Sequence, residues 1–262
     1  MIPAQLSPAI DRAHSSWRPI ILDGLHAIAA ADPGYLPALA SGPAYLPNDH
    51  RLFAAFAMPL ESVRYVLIGE GPYPRPESAT GVCFMDGAVD ALWSDKGLST
   101  KVNRATSLRN FIKMLLVCEG MLTPAACTGE PVADASRRAR APGSDMIQTL
   151  PELQQSLLEH GFLLLNATLV YRPDVPPLKD ARAWRPFLQV VLRALAVRAG
   201  ELPTMVLWGK VAELVAGLED IERFPQVIAE HPYNISFIAN SAMHGFFRPL
   251  ALLRQRAGRA LI

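Results

Sequence analysis

Short apolar runs alternate along this chain with segments whose apolar residues recur every three or four positions. The runs have the length of buried strands and occupy residues 63–69, 162–168, 204–209 and 226–232. Helical spacing of apolar residues marks the segments around 108–116, 150–158 and 187–195. Strands that alternate with helices build a mostly parallel sheet covered on both faces. The pattern therefore predicts an α/β fold of three layers, α/β/α, with a central four-stranded, mainly parallel sheet.

Polar side chains that could take part in chemistry stand at the carboxyl ends of the predicted strands. In open parallel sheets ligands bind beyond these ends, so such residues converge on one rim. The strand ends offer to this rim Glu70, Tyr73, Asn166, Lys210 and His231.

The loop GEGPYP, residues 69–74, follows the first apolar run and contains two prolines. Its only side chains with a polar group are Glu70 and Tyr73. A dinucleotide-binding loop would require a third glycine where Pro74 stands, and proline has no amide to offer a phosphate. The phosphate-binding interpretation of this loop therefore fails.

Composition narrows the class of protein. Half of the 262 residues are hydrophobic, 19% are charged and the net charge is +1, which is typical of a folded globular protein. We predict one domain over 1–262. A charge this small neither demands nor excludes a polyanionic partner. The last stretch has no acid and predicts a modest basic patch of Arg248, Arg254, Arg256 and Arg259.

The cysteines Cys83, Cys118 and Cys127 are odd in number and lack the spacing of a disulfide framework or a metal site. We predict no metal and no cofactor. The sequence has neither a secretion signal nor an apolar run of membrane-spanning length, so we predict a cytoplasmic protein that does not bind membranes. The segment 123–145 is rich in Pro, Gly, Ala and Ser, which predicts a solvated surface insertion between helices.

Each candidate side chain also has a purely structural interpretation. Asn166 could tie neighbouring loops together or read an amide-like ligand edge, such as the O4 and N3–H of uracil. His231 could cap backbone groups or donate a hydrogen bond to a leaving group on which charge develops. Phe84 could belong to the core or form a stacking platform. Residue spacing alone leaves these alternatives open.

The order and spacing of these residues resemble those of family 1 uracil-DNA glycosylases, the enzymes that remove uracil from DNA. ATGVCF resembles the family's AHGLAF-type stretch, TSLRNFIKML its PPSLKNI-type segment, and GFLLLNATLVYRP its GVLLLNTVLTV-type strand. WRPF, VLWG and HPYNIS…GFF follow in the family's order, the last resembling HPSPLS…GFF. The resemblance extends over most of the chain.

The resemblance implies a pocket for a uracil base. Phe84 would stack on the flipped uracil, Asn166 would read its pyrimidine edge, and Tyr73 would crowd the 5-methyl position and exclude thymine. His231 would donate a hydrogen bond to uracil O2 as negative charge collects on the leaving base. A base inside a duplex is reached by flipping it into such a pocket.

The resemblance also implies contacts with DNA. Ser107 would hold a DNA phosphate. Ile235 matches the leucine that the family inserts into the base stack, and the neighbouring Ser236 would also contact DNA. The implied partner is uracil-containing DNA, bound by a monomer without a metal.

The first motif departs from the family's GQDPYH at three positions. Glu70 stands where the family has glutamine, Gly71 where it has the catalytic aspartate, and Pro74 where it has histidine. The aspartate would stabilise the sugar cation and position the attacking water, and Gly71 has no side chain for either task. Glu70 or Glu77 offers a carboxylate nearby, although Glu70 could equally be solvent-facing or salt-bridged.

We therefore predict an atypical uracil-DNA glycosylase that hydrolyses the N-glycosidic bond and leaves an abasic site, with His231, Glu70 and Gly71 at its catalytic centre. Two alternatives stay open. Gly71 favours a non-catalytic DNA-binding module on a glycosylase fold. A glycosylase for another deaminated base is the other alternative, against which Asn166 and Tyr73 argue.

Overall fold

The computed structural model describes residues 2–42 and 44–255 of the chain. Its α-helices are α1 Ser7–Arg12, α2 Arg18–Ala31, α3 Tyr35–Ser41, α4 Thr100–Arg104, α5 Thr106–Cys118, α6 Glu130–Arg140, α7 Leu150–Glu159, α8 Pro177–Val197, α9 Val211–Val215 and α10 Ser241–Phe247. Its strands are β1 Tyr65–Gly69, β2 Trp93–Ser94, β3 Gly97–Leu98, β4 Phe162–Asn166, β5 Thr204–Trp208 and β6 Gln226–Ala229.

Strands β4, β1, β5 and β6 form, in that order, the central sheet. Strand β1 pairs in parallel with β4 on one side and with β5 on the other. Helices flank this sheet, so the predicted three-layer α/β/α fold is confirmed. Val66, Leu67 and Ile68 are all buried, as expected of a strand covered on both faces. The four predicted strands are confirmed: β1 ends with its apolar run at Gly69, and β4, β5 and β6 end one to three residues short of theirs.

The three predicted helical segments are confirmed as α5, α7 and α8. Helix α7 shows why its boundary is sharp. The Thr149 hydroxyl accepts the backbone N–H of Glu152 at 3.3 Å, and the Glu152 carboxylate accepts the N–H of Thr149 at 2.7 Å. This reciprocal cap satisfies two backbone donors that a helix start otherwise leaves unpaired.

The prediction of a solvated insertion at 123–145 is wrong, because helix α6 lies within it. Its buried positions recur every third or fourth residue, but most of them hold small side chains: Val132, Ala133, Ala135, Ser136 and Ala139. Small residues produce a weak hydrophobic pattern, so the composition suggested a loop. On the exposed face Arg137 pairs with Glu130 at 2.7 Å.

Two compact units make up the chain. One comprises Met1–Gly87 and Gly161–Gln226, and the other comprises Ala88–His160 and Val227–Ile262. The single domain over 1–262 stays a prediction. None of the helices within the described residues combines the length and apolar character that crossing a bilayer requires.

The predicted basic patch is only partly within the described residues. Arg254 donates to the carboxylates of Glu119 at 2.6 Å and Asp145 at 2.5 Å, so acidic neighbours offset its charge. Arg256 and Arg259 lie outside the described residues.

An aromatic cluster anchors α8 in the core of the first unit. The ring of Phe187 stacks on Phe53 with centroids 5.8 Å apart and meets Phe56 and Trp184 edge-on at 6.0 and 5.2 Å. Helix α2 reaches the same ring through Gly24, where an added Cβ would lie 2.5 Å from Phe187. The cluster is therefore packed tightly enough that lost volume would leave a cavity.

We expect Phe187→Ala to lower the free energy of unfolding by about 3–5 kcal/mol, because the lost ring leaves a cavity among aromatic side chains that cannot collapse into it. Phe187→Leu retains most of the volume and should cost clearly less. Urea denaturation of both variants measures the difference. Equal losses for the two would contradict the prediction.

Candidate active site

The loop after β1 is fixed to the segment after β4. Gly69 and Asn166 end these strands directly opposite each other in the parallel register. The backbone N–H of Ala167 donates to Gly69 O at 2.8 Å, and the N–H of Thr168 donates to Glu70 O at 3.1 Å. The backbone of the GEGPYP loop therefore starts from a defined position at the carboxyl end of the sheet, where sheets of this kind bind ligands.

Gly69 is a point of close approach. A Cβ there would lie 2.6 Å from Cys83 Sγ and 2.9 Å from Asn166 Oδ1, both below normal contact distance. Burial raises the pKa of the Cys83 thiol to about 12, so this cysteine stays a neutral packing group. Only glycine at 69 leaves the Asn166 side chain where it is.

Asn166 is only 5% exposed. Within residues 2–42 and 44–255, its side-chain amide makes no hydrogen bond, although its polar atoms are not fully shielded from solvent. An amide at a strand end that has no protein partner and can be reached is suited to pairing with a ligand. This arrangement favours the ligand-reading interpretation of Asn166 over the structural one.

Phe84 and Tyr73 lie together on the same side of the first unit. Phe84 has a φ of 67°, in the left-handed region that non-glycine residues rarely adopt. Its half-buried ring meets Trp208 edge-on with centroids 5.3 Å apart. The Tyr73 hydroxyl donates a long hydrogen bond to Phe84 O at 3.5 Å. Backbone strain of this kind is typical of functional sites.

The Tyr73 hydroxyl is a neutral group at physiological pH. Burial, followed by the negative charge of Asp86, raises its pKa above the ordinary value, and Arg75 offsets only part of this. A neutral, mostly buried phenol offers bulk rather than charge. That property fits a side chain that excludes larger ligands.

Gly71 differs from Gly69 in its surroundings. A Cβ at Gly71 would meet Thr168 O at 3.6 Å and Thr168 Cβ at 3.7 Å, which is ordinary contact, and its φ lies outside the left-handed region. The fold therefore does not require glycine at position 71. Glu70 and Glu77 are both exposed.

A cavity of about 350 Å3 lies beside this loop. Its lining includes Glu70 and Gly71 from the loop and Thr168 from the segment after β4, but not Tyr73, Phe84 or Asn166. We call the place where Gly69, Cys83 and Asn166 meet the Asn166 corner. The cavity therefore lies next to the loop and not within this corner. It has room for a group or water adjoining a bound base.

A buried ion pair lines the same cavity. The Asp180 carboxylate, 2% exposed, accepts from the Tyr35 hydroxyl at 2.7 Å and from Arg172 Nε at 3.1 Å. Sequence reasoning missed this cluster, because its members lie far apart along the chain and in no recognisable motif. Its polar groups satisfy one another and give the cavity a rigid wall.

His231 lies in the second unit, two residues after β6. Its Nδ1 accepts the backbone N–H of Tyr233 at 3.1 Å, and its carbonyl accepts the N–H of Asn234 at 2.9 Å. Because Nδ1 is an acceptor, the neutral ring holds its proton on Nε2. Nε2 is therefore the nitrogen that carries the ring's donor hydrogen.

The predicted DNA contacts also lie in the second unit. Ser107 is half-buried in the first turn of α5. Ile235 is 77% exposed, an unusual position for a large apolar side chain. Burial alone would raise the pKa of Glu230, but hydrogen bonds from Ser236 and Asn240 lower it, so Ser236 helps to brace this loop.

The structure thus groups Glu70, Gly71, Tyr73, Phe84 and Asn166 in the first unit. The second unit holds Ser107, His231, Ile235 and Ser236, and the roles of all these residues stay predictions. Sequence reasoning also missed Asn110, a buried residue of α5. The only signal for it was a polar residue within the apolar face of that helix.

Comparison with known proteins identifies relatives of this fold. No family model matches the chain. The wild-type UNG crystal structure from Nitratifractor salsuginis matches with a TM-score of 0.85 and 39% identity, over 96% of this chain and 98% of that one. Uracil-DNA glycosylase from Thermobifida fusca is 28% identical over all of this chain and 98% of its own length. The Nocardioides uracil-DNA glycosylase is 29% identical over 85% of this chain and 80% of its own.

The 39% identity with the Nitratifractor salsuginis structure, over nearly the full length of both chains, establishes the family as well as the fold class. The chain belongs to the uracil-DNA glycosylase family.

The two glycines of the first motif should respond differently to alanine. We expect Gly69→Ala to lower the free energy of unfolding by about 1–3 kcal/mol, because the methyl group would overlap Cys83 and Asn166. Gly71→Ala, the matched control, should stay within about 0.5 kcal/mol of the wild type, because its methyl has room. Urea denaturation compares them. A larger loss for Gly71→Ala would show that the loop is packed differently.

Proposed function

We propose that this protein flips uracil out of DNA and hydrolyses its N-glycosidic bond, leaving an abasic site. The observation that carries this proposal is Asn166, a mostly buried residue at the carboxyl end of β4 whose side-chain amide makes no hydrogen bond within residues 2–42 and 44–255, in a chain of this family. An amide presents one donor and one acceptor, which complement the O4 and N3–H of uracil.

The neighbours of Asn166 suit the rest of the base. We propose that Phe84 stacks on the uracil ring, an assignment that its half-buried ring and strained backbone support. Tyr73, held beside Phe84, would occupy the space that the 5-methyl group of thymine needs. Selection for uracil would then rest on shape at one edge and hydrogen bonding at the other.

Departure of uracil places negative charge on the base, and we assign its stabilisation to His231. The backbone N–H of Tyr233 fixes Nδ1 as an acceptor, so the neutral ring donates from Nε2 toward uracil O2. A donor already oriented before the reaction lowers the barrier without reorganising during it. Ser107 would hold a DNA phosphate, with Ile235 inserted into the vacated stack and Ser236 beside it.

The sugar and the attacking water require a carboxylate that position 71 lacks. We assign this role to Glu70, because it lines the cavity beside Gly71 and because its backbone carbonyl accepts a hydrogen bond from the N–H of Thr168. Glu77 is the alternative carboxylate. The enzyme would act as a cytoplasmic monomer without metal or cofactor.

Replacement of His231 tests the leaving-group assignment. We expect His231→Ala to slow uracil release by about 10²–10³-fold, the usual cost of removing one donor to a developing oxyanion. His26→Ala, an exposed histidine on α2, is the control and should leave the rate unchanged. Release is measured on a uracil-containing oligonucleotide by alkaline cleavage at abasic sites.

Lack of any release by wild-type protein at concentrations equal to the substrate would contradict the proposal. The protein would then be a DNA-binding module, which Gly71 favours, and its DNA affinity would fall steeply with salt. Equal rates for His231→Ala and the wild type would remove the leaving-group role alone.

Replacement of Glu70 tests the substitute carboxylate. We expect Glu70→Gln to slow uracil release by about 10²–10⁴-fold, the range for loss of a general base. Glu77→Gln, an equally exposed carboxylate, is the matched control and should be near wild type.

The double variant Glu70→Gln/Gly71→Asp makes this test sharper. It installs a carboxylate at a position with room for a side chain, so it should recover much of the activity lost in Glu70→Gln. Full activity of Glu70→Gln alone would contradict the role of Glu70, and loss in Glu77→Gln would transfer that role to Glu77.

A further inference from the structure

The side chain of Asn110 forms hydrogen bonds with residues 231–234, the loop after β6 that contains His231 and is called the histidine loop below. Its Nδ2 donates to Pro232 O at 2.8 Å and to Tyr233 O at 3.3 Å. Asn110 is only 2% exposed, and its bond to Pro232 O is shielded from water, whereas its bond to Tyr233 O is partly accessible. An amide nitrogen has two hydrogens, and here both serve consecutive carbonyls of one loop.

The bonds lead directly to His231. Asn110 holds the carbonyl of Pro232, which belongs to the same planar peptide group as the N–H of Tyr233. That N–H donates to His231 Nδ1 at 3.1 Å. A side chain that fixes the Pro232 carbonyl therefore helps to fix the N–H that sets the histidine tautomer and ring direction.

The predicted phosphate contact lies on the same helix. Ser107 precedes Asn110 by three residues, so the two are neighbours on one face of the first two turns of α5. Arg109 Nε donates to Asn110 Oδ1 at 3.4 Å, which restrains the amide from the other side. One rigid helix end thus holds both Ser107 and the loop of His231.

We propose that Asn110 is a positioning residue for the glycosylase reaction: it holds the Pro232 and Tyr233 carbonyls so that His231 points its Nε2–H at the leaving base. Through α5, the direction of His231 is tied to Ser107 and hence to a bound phosphate. This proposal rests on the proposed function. It adds a residue that touches neither substrate nor DNA.

The isosteric variant Asn110→Asp is the sharpest test. Its carboxylate has the shape of the amide but no hydrogen to donate, and it would face two carbonyl oxygens. We expect kcat for uracil release to fall by about 10–100-fold, with KM changed by less than about threefold, because base binding does not depend on His231 direction.

Protonation should partly restore this variant. Burial and the facing carbonyl oxygens raise the pKa of this carboxyl, the Arg109 guanidinium beside it lowers that pKa, and the protonated form regains one donor. The ratio of variant to wild-type kcat should therefore rise as the pH falls from about 8 to about 5.5. A purely structural defect would not produce that trend.

Asn103→Asp is the matched control. Asn103 lies on α4 of the same unit, and its Nδ2 also donates to a backbone carbonyl, that of Leu98, at 2.8 Å. It makes the same charge change without touching the histidine loop, so kcat and its pH dependence should stay near wild type. Urea denaturation checks that Asn110→Asp is folded. If it is not, Asn110→Ala removes the same hydrogen bonds without adding a charge and should lower kcat similarly.

A second readout separates this proposal from the proposed function. The 15N shifts of the His231 ring, assigned with His231→Ala, report the Nδ1 acceptor and Nε2–H tautomer without any substrate. They should change in Asn110→Asp and not in Asn103→Asp. Unchanged ring shifts, or kcat equal to that of Asn103→Asp, would overturn the positioning role. An inactive wild type with changed ring shifts would overturn only the proposed function.

Discussion

The close approach of three chain segments at Gly69 is the constraint on which the Asn166 corner depends. The parallel register of β1 and β4 places Gly69 opposite Asn166, and the segment around Cys83 closes over both. Backbone hydrogen bonds on either side also join these segments: Cys83 N–H donates to Leu164 O at 3.0 Å, and Ala167 N–H donates to Gly69 O at 2.8 Å. A side chain at 69 would separate strand from loop and displace the amide.

This constraint separates the two glycines of the GEGPYP loop into different kinds of residue. Gly69 is required by contact distances, whereas Gly71 has room for a Cβ and no left-handed φ. A side chain at position 71 could therefore be accommodated without moving the loop, so packing does not explain why a glycine stands there. The nearest carboxylates along this segment are Glu70 and Glu77, and both are exposed.

Much of the sheet could be predicted because β1, β4 and β5 are buried on both faces and appear in the sequence as continuous apolar runs, as at Val66, Leu67 and Ile68. Helix α6 could not, since its buried face consists largely of alanine and serine, which resemble a loop in composition. The candidate residues at the strand ends were predictable because they directly follow these apolar runs. The Asp180 cluster and the Asn110 contact join residues distant in sequence, and no local pattern marks such pairs.

The histidine loop shows why a motif states less than a structure. The sequence HPYNIS places a histidine after a strand, but a histidine alone has two tautomers and a free ring direction. Here the loop fixes both internally, through the N–H of Tyr233, and is fixed in turn by a helix. Such second contacts keep a donor aligned in the absence of substrate, which is the condition under which electrostatic stabilisation is most effective. It is the backbone of Tyr233, and not its exposed side chain, that makes these contacts.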